Sequence, residues 1–331
     1  MKGFHWLLTS YLVILFSGCS ESANIADEFA KVAPQKQMVE LNIPKEDEVK
    51  KNEGDLAELY LQTVQTTRKV NNAVLFWLSL VENIIQFPPS SEDDSSALWG
   101  PWKPDGALSS AEYTFSITLN EDDSFDYAMS IRAADSDDAF LDIYTGQIAA
   151  QSSLVLNTGT MFFDYDAAAS VDLAVTQRGT LSIEYDYQNG QKDIFIVFDQ
   201  FRENQDDDPV NANYHYYLAG AGSGYFDFET WSDIHAGNPD AAQYPNDEHW
   251  EFRSRWTDSG QGRTDIKVEG QDLDTQGYES FKISECWDES FLSVYKANFI
   301  TPDNSSEVEE VQWGEQANCS AFPDFESPQL D

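Results

Sequence analysis

Residues 113–132, YTFSITLNEDDSFDYAMSIR, decide the fold. Tyr113, Phe115, Ile117 and Leu119 alternate with Thr114, Ser116 and Thr118. After an acidic break, Phe125, Tyr127, Met129 and Ile131 alternate with Asp126, Ser130 and Arg132. A period of two puts every apolar side chain on one face of an extended strand. Glu121-Asp122-Asp123 between the two runs reads as a turn.

The same alternation recurs downstream. Leu181, Ile183, Tyr185 and Tyr187 alternate with Ser182, Glu184 and Asp186, and Trp250, Phe252 and Trp256 with Glu251, Arg253 and Arg255. Further candidate strands lie near 139–149, 160–167, 192–201, 212–220, 224–232, 264–269, 279–287 and 291–299. Asn189-Gly190 and Ser259-Gly260 are turn signals between them. About a dozen strands with short links and no helices between them imply a mainly β chain. The expected architecture is a large antiparallel up-and-down sheet or barrel over 54–331, a single domain with one long N-terminal α-helix packed on it.

That helix is expected from about Asp55 to Gln86. Leu56, Tyr60, Val64, Thr67, Val70, Val74, Trp77, Val81 and Ile84 recur at spacings of three and four, with Asp55 as N-cap and Pro88-Pro89 as the stop. Its second half is apolar nearly all round but too short and interrupted to span a bilayer. Ile194 to Phe201 (IFIVFDQF) is apolar on both faces, so something must cover the second face, and the helix is the expected cover.

The first residues read as a processing signal over 1–18, with Lys2 followed by an apolar stretch from Trp6 to Phe16. The run Phe16-Ser17-Gly18-Cys19 resembles the lipobox of bacterial lipoproteins, although Phe16 stands where Leu is usual. The resemblance implies cleavage before Cys19, its modification with palmitate-type acyl chains, and a membrane anchor in the cell envelope. Ser20 after the cysteine implies the outer membrane of a two-membrane cell. Residues 19–53 mix charges with Pro34 and Pro44 and read as a lipidated flexible tether holding the domain ~30 Å from the bilayer. With Cys19 lipidated, Cys286 and Cys319 remain and read as one disulfide in an oxidising compartment. The alternatives are two free thiols or a metal pair, and no His or second Cys adjoins either residue. Trp250-Glu-Phe-Arg-Ser-Arg-Trp256, Gly260-Gln-Gly-Arg263 and Glu285-Cys-Trp-Asp-Glu-Ser-Phe291 are similar to a pattern in exported bacterial lipoproteins with a second cysteine near the C-terminus. That resemblance implies export and the Cys286–Cys319 pair, and no activity.

With 19 basic against 59 acidic residues the surface is strongly negative. Nucleic acid is excluded as a partner, since phosphate affinity rests on Lys and Arg clusters. No metal, cofactor or catalytic set stands out. His215 sits among tyrosines, and His249 shares a strand face with Glu251, Arg253 and Arg255. Gly220-Ala221-Gly222-Ser223-Gly224 lacks the glycine a nucleophile elbow needs. The acidic runs 121–123, 135–138 and 206–208 lack calcium-loop spacing and read as solvated turns. Aromatics make up 14% of the chain. The expected function is a non-enzymatic binding or structural component of the envelope, partnered by the membrane through its anchor and by another envelope protein or a hydrophobic ligand. The first alternative is a carrier with an apolar cavity beside 194–201 and 74–85, contacting its ligand through Trp77, Phe195, Phe198 and Tyr216. A hydrolase with an unrecognised site is the second alternative.

Overall fold

The computed structural model describes residues 25–44, 56–103, 110–150, 156–235, 243–270, 272–273 and 277–330. The signal segment, Cys19, the remainder of 19–53 and the expected N-cap Asp55 lie outside the described residues. Fifteen strands form one sheet: β1 (Ser91–Glu92), β2 (Ser96–Trp102), β3 (Ala111–Leu119), β4 (Phe125–Ala133), β5 (Leu141–Ile148), β6 (Leu156–Asp164), β7 (Arg178–Gln188), β8 (Gln191–Arg202), β9 (Val210–Leu218), β10 (Gly224–Ser232), β11 (Glu248–Trp256), β12 (Gly262–Glu269), β13 (Tyr278–Trp287), β14 (Ser293–Pro302) and β15 (Val308–Gly314). Each pairs antiparallel with the next in sequence. β1 and β15 are the two edges, so the up-and-down sheet is open rather than a closed barrel.

Alternation in the sequence becomes alternation of faces. Tyr113, Phe115 and Ile117 on β3, Leu181, Ile183 and Tyr185 on β7, and Ile194, Ile196 and Phe198 on β8 are buried on one inner face. The β7–β8 turn has both Asn189 and Gly190 at positive φ, the backbone of a tight hairpin that Asn-Gly favours. Among the described residues the sheet is joined by α1 (Ile25–Val32), α2 (Lys36–Val39), α3 (Glu58–Ile84) and α4 (Tyr165–Val171). α3 is the long helix, 27 residues with one buried stripe from Leu59 through Tyr60, Val64, Val70, Val74, Trp77, Val81 and Ile84. Its start packs on β11–β13, where the Tyr60 ring stands 4.6 Å from Phe291 and 5.6 Å from Trp287. There the Thr63 hydroxyl lies 3.0 Å from that of Ser254. Toward its end Trp77 meets Tyr165, whose hydroxyl donates to the Ala73 carbonyl at 2.8 Å.

Several expectations are corrected. Residues 25–44 do not behave as part of a flexible tether: Phe29, Ala33, Met38, Val39, Leu41 and Ile43 join the main core. Asn71 bonds both the N–H and the carbonyl of Leu41 at 2.9 Å, as a neighbouring strand would, and Tyr60 donates to the Pro44 carbonyl. The apolar residues here are too sparse among charges to show as a period. A candidate strand over 160–167 instead ends at Asp164, whose side chain accepts from the Ala167 N–H and starts α4. A helix therefore does interrupt the meander. β1, β2 and β15 lie outside the expected strands: β1 is only two residues long, Gly100-Pro101 interrupts β2, and all seven residues of β15 are exposed.

Candidate functional site

Of the residues expected to contact a ligand, three lie in one buried core and Phe195 lies apart. Trp77, Phe198 and Tyr216 are buried on the inner face in the main core, which α3 and the segment 25–44 share. Tyr216 is a clamp: its hydroxyl accepts from the Asn42 N–H at 3.0 Å and donates to the Asn42 carbonyl at 2.7 Å. Phe195 lies on the opposite, outer face and stacks on His215 at 3.8 Å. The second face of β8 is therefore not covered by α3, and Val197 beside Phe195 stays 42% exposed.

The outer face divides in two. Over β10–β13 it is covered by the C-terminal strap, residues 320–330, fastened by the Cys286–Cys319 disulfide with Cα atoms 5.7 Å apart. Beneath the strap the odd positions that sequence reading left to solvent carry Asp227, Arg253, Arg255, Arg263 and Asp265, all buried. Arg253 pairs with Asp227, while Arg255 and Arg263 share Asp265 at 2.6 and 2.7 Å. Glu326 on the strap pairs with both Arg253 and Arg255. Strap carbonyls of Phe322 and Pro323 accept from Arg263, and that of Asp324 from Arg255. Three cations thus meet three carboxylates, the balance a buried cluster requires. Burial pushes the Asp227 carboxyl up to about 6 against the pull of Arg253, and burial likewise raises Asp265 against Arg263.

Among the described residues nothing covers the outer face over β3–β8. Two adjoining depressions of about 390 Å³ each share Gln147 and Thr160. Thr118, Asp126 and Thr145 line one, and Thr158, Glu184, Asp193 and Phe195 the other. This face mixes hydroxyls, carboxylates and the half-exposed Phe162 and Val197, the composition of an exposed sheet face rather than of a core.

All three described histidines have carboxylate neighbours, as the hydrolase alternative would need. His215 is held at both nitrogens, Nδ1 by the Gln329 carbonyl at 2.7 Å and Nε2 by Asp193 at 2.8 Å. With both nitrogens engaged it has none left to act as a base. His249 meets Glu229 at 3.2 Å and stacks on Trp231. His235 adjoins Asp233 and Glu248 beyond the end of β10. The acidic runs serve their turns: Asp122 accepts from Ser124, which draws its carboxyl down, and Asp207 accepts from Asn204. No family model, curated protein or solved structure matches this chain.

Proposed function

We propose that this protein is a lipid-anchored component of the bacterial envelope that binds another envelope protein through the outer face of β3–β8. The observation that carries the reading is the division of surfaces. Protein fills the inner face, the strap covers β10–β13, and the remaining broad face is lined by Thr145, Thr160, Glu184, Phe162, Phe195 and Val197. Export is supported by the Cys286–Cys319 disulfide, since such bonds persist in oxidising compartments. Anchoring on Cys19 would keep this face close to the membrane. The chain between Cys19 and Ile25 spans at most ~20 Å fully extended, shorter than the ~30 Å expected of a free tether.

A photo-cross-linking residue at Val197 in the lipidated chain, expressed in its own cell, tests the reading. Capture of one envelope protein there, but not from Gln65 on the exposed side of α3, supports it when Thr160→Arg abolishes the capture. Equal capture at both positions, or none at Val197, overturns it. The Cys19→Ala chain, exported with a cleavable signal, is expected in the soluble fraction, and its retention in membranes removes the anchor.

A further inference from the structure

β10 and β11 are adjacent, with Ser232 paired to Glu248 across the ladder. The chain that leaves β10 therefore begins beside the residue at which it returns. Asp233 and His235 follow the end of β10, and Glu248 opens β11. His235 Nδ1 stands 3.7 Å from Asp233 Oδ1 and 3.9 Å from Glu248 Oε1. The three atoms all lie within 4.8 Å of one another. These separations are longer than hydrogen bonds. They are close to the ~3.4 Å edge of a tetrahedron whose ligands sit ~2.0–2.2 Å from a central ion.

A second observation points the same way. The Glu248 side chain is 0% exposed and its Oε1 accepts no hydrogen bond. A buried carboxylate oxygen normally has a donor. The other Glu248 oxygen is already held by the Ile234 N–H at 3.0 Å, which aims Oε1 at His235. Asp233 Oδ1 accepts the backbone N–H of His235 at 2.6 Å, and the Tyr244 ring lies 4.9 Å from the imidazole. Asn246, bonded to Asp272 through both its backbone N–H and its side chain, fixes the return to β11. Such surrounding bonds orient the groups of a metal site.

The other group of this kind among the described residues, at His249, has internal partners. Near His249, Glu269 pairs with Lys267 at 2.5 Å and Glu251 accepts from Ser327. The arginines beneath the strap are balanced by their carboxylates.

We propose that Asp233, His235 and Glu248 form a three-ligand site for a divalent transition-metal ion of the zinc class, with a fourth position open to water or a partner's side chain. One imidazole and two carboxylates suit zinc, whereas calcium calls for six to eight oxygens. The ion would join the end of β10 to the start of β11. The site does not depend on the recognition face proposed above.

The test uses the Cys19→Ala mature chain, cleared of metal with a chelator and titrated with Zn²⁺ in a calorimeter. Co²⁺, whose visible absorption reports four-coordination, serves as a second probe. One saturable equivalent of micromolar or tighter affinity is expected. His235→Ala and Glu248→Gln should each weaken it at least tenfold, and His249→Ala should leave it unchanged. His235→Ala removes a partly exposed ring, so its circular dichroism should match the parent and its binding loss is interpretable even if Glu248→Gln misfolds. Absence of saturable binding, or binding that His235→Ala leaves intact, overturns the proposal.

Discussion

Glu285, buried on β13, accepts a hydrogen bond at 2.6 Å from the backbone N–H of Leu59, 226 residues earlier in the chain. The N-cap position of α3 is Ala57, which has no capping side chain. A cap is thus supplied across the core by a carboxylate from the sheet, where it also complements the positive end of the helix. Ala57 is held in turn by the Phe291 carbonyl at 2.9 Å.

Glu285→Ala should therefore cost about 1–3 kcal/mol, more than an ordinary surface cap, because it strands the buried Leu59 N–H. Glu285→Gln keeps an acceptor and should lose less. Urea unfolding of the Cys19→Ala chain measures both, and equal stability of parent and Glu285→Ala would show that the contact contributes nothing.

The strap is held at two points. Its disulfide closes a sequence separation of 33 residues, worth about 3–4 kcal/mol on the chain-entropy model. Glu326 is 45% exposed while its partners Arg253 and Arg255 are 7% and 5% exposed. Solvent screens its side of the pair, so Glu326→Ala should cost about 1–2 kcal/mol. With Cys286 and Cys319 both changed to Ser the strap is freer to lift, and Glu326→Ala should then cost less. A double-mutant cycle is expected to show coupling of at least ~0.5 kcal/mol. Strict additivity would mean the two attachments act independently.

Lys192 is buried and donates to the Glu40 carbonyl at 2.5 Å, tying β8 to the segment 25–44. Burial pulls its ammonium down to about 8 from 10.5. Between pH 8 and 10 the unfolded chain holds this proton and the folded chain releases it, so stability should rise with pH in that window. Near and above pH 10 the buried tyrosines act oppositely. Burial raises Tyr214 to about 12 and Tyr165 further, so the unfolded chain loses those protons first and stability falls. Lys192→Met should flatten the rise in denaturation midpoints between pH 8 and 10, and an unchanged slope would assign it to another group.

Trp77 and Phe195 separate the carrier reading from the proposed one. Trp77→Ala removes a core side chain and should cost about 3–5 kcal/mol, whereas Phe195→Ala on the outer face should cost about 1 kcal/mol. Native mass spectrometry of the Cys19→Ala chain from the periplasm should give its bare mass. A lipid-sized excess that disappears on denaturation would restore the carrier.

The strands were legible because alternation such as Phe115–Ser116–Ile117 is local, and turn residues such as Asn189-Gly190 mark where it breaks. Phe195 shows the limit of that signal. Apolar on a strand already apolar at Ile194 and Ile196, it suggested a second covering layer, yet it rests on His215 at the rim of an open face. Phe29, Met38 and Leu41 were hidden by the charges around them, although each reaches the core. Asp233, His235 and Glu248 carry no spacing motif, since the ladder pair Ser232–Glu248 brings them together.

The sequence by itself determined most of the strands, their antiparallel hairpins, the long apolar helix and the two cysteines left for one disulfide. These follow from side-chain period, turn chemistry and cysteine count, all properties of neighbouring residues. Only the tertiary structure decided that the sheet stays open, that Glu285 caps α3, that Tyr216 clamps the N-terminal segment, and that the strap buries Arg253, Arg255 and Arg263. Each of those depends on burial and charge balance between residues tens to hundreds of positions apart, where no local pattern specifies which pairs meet.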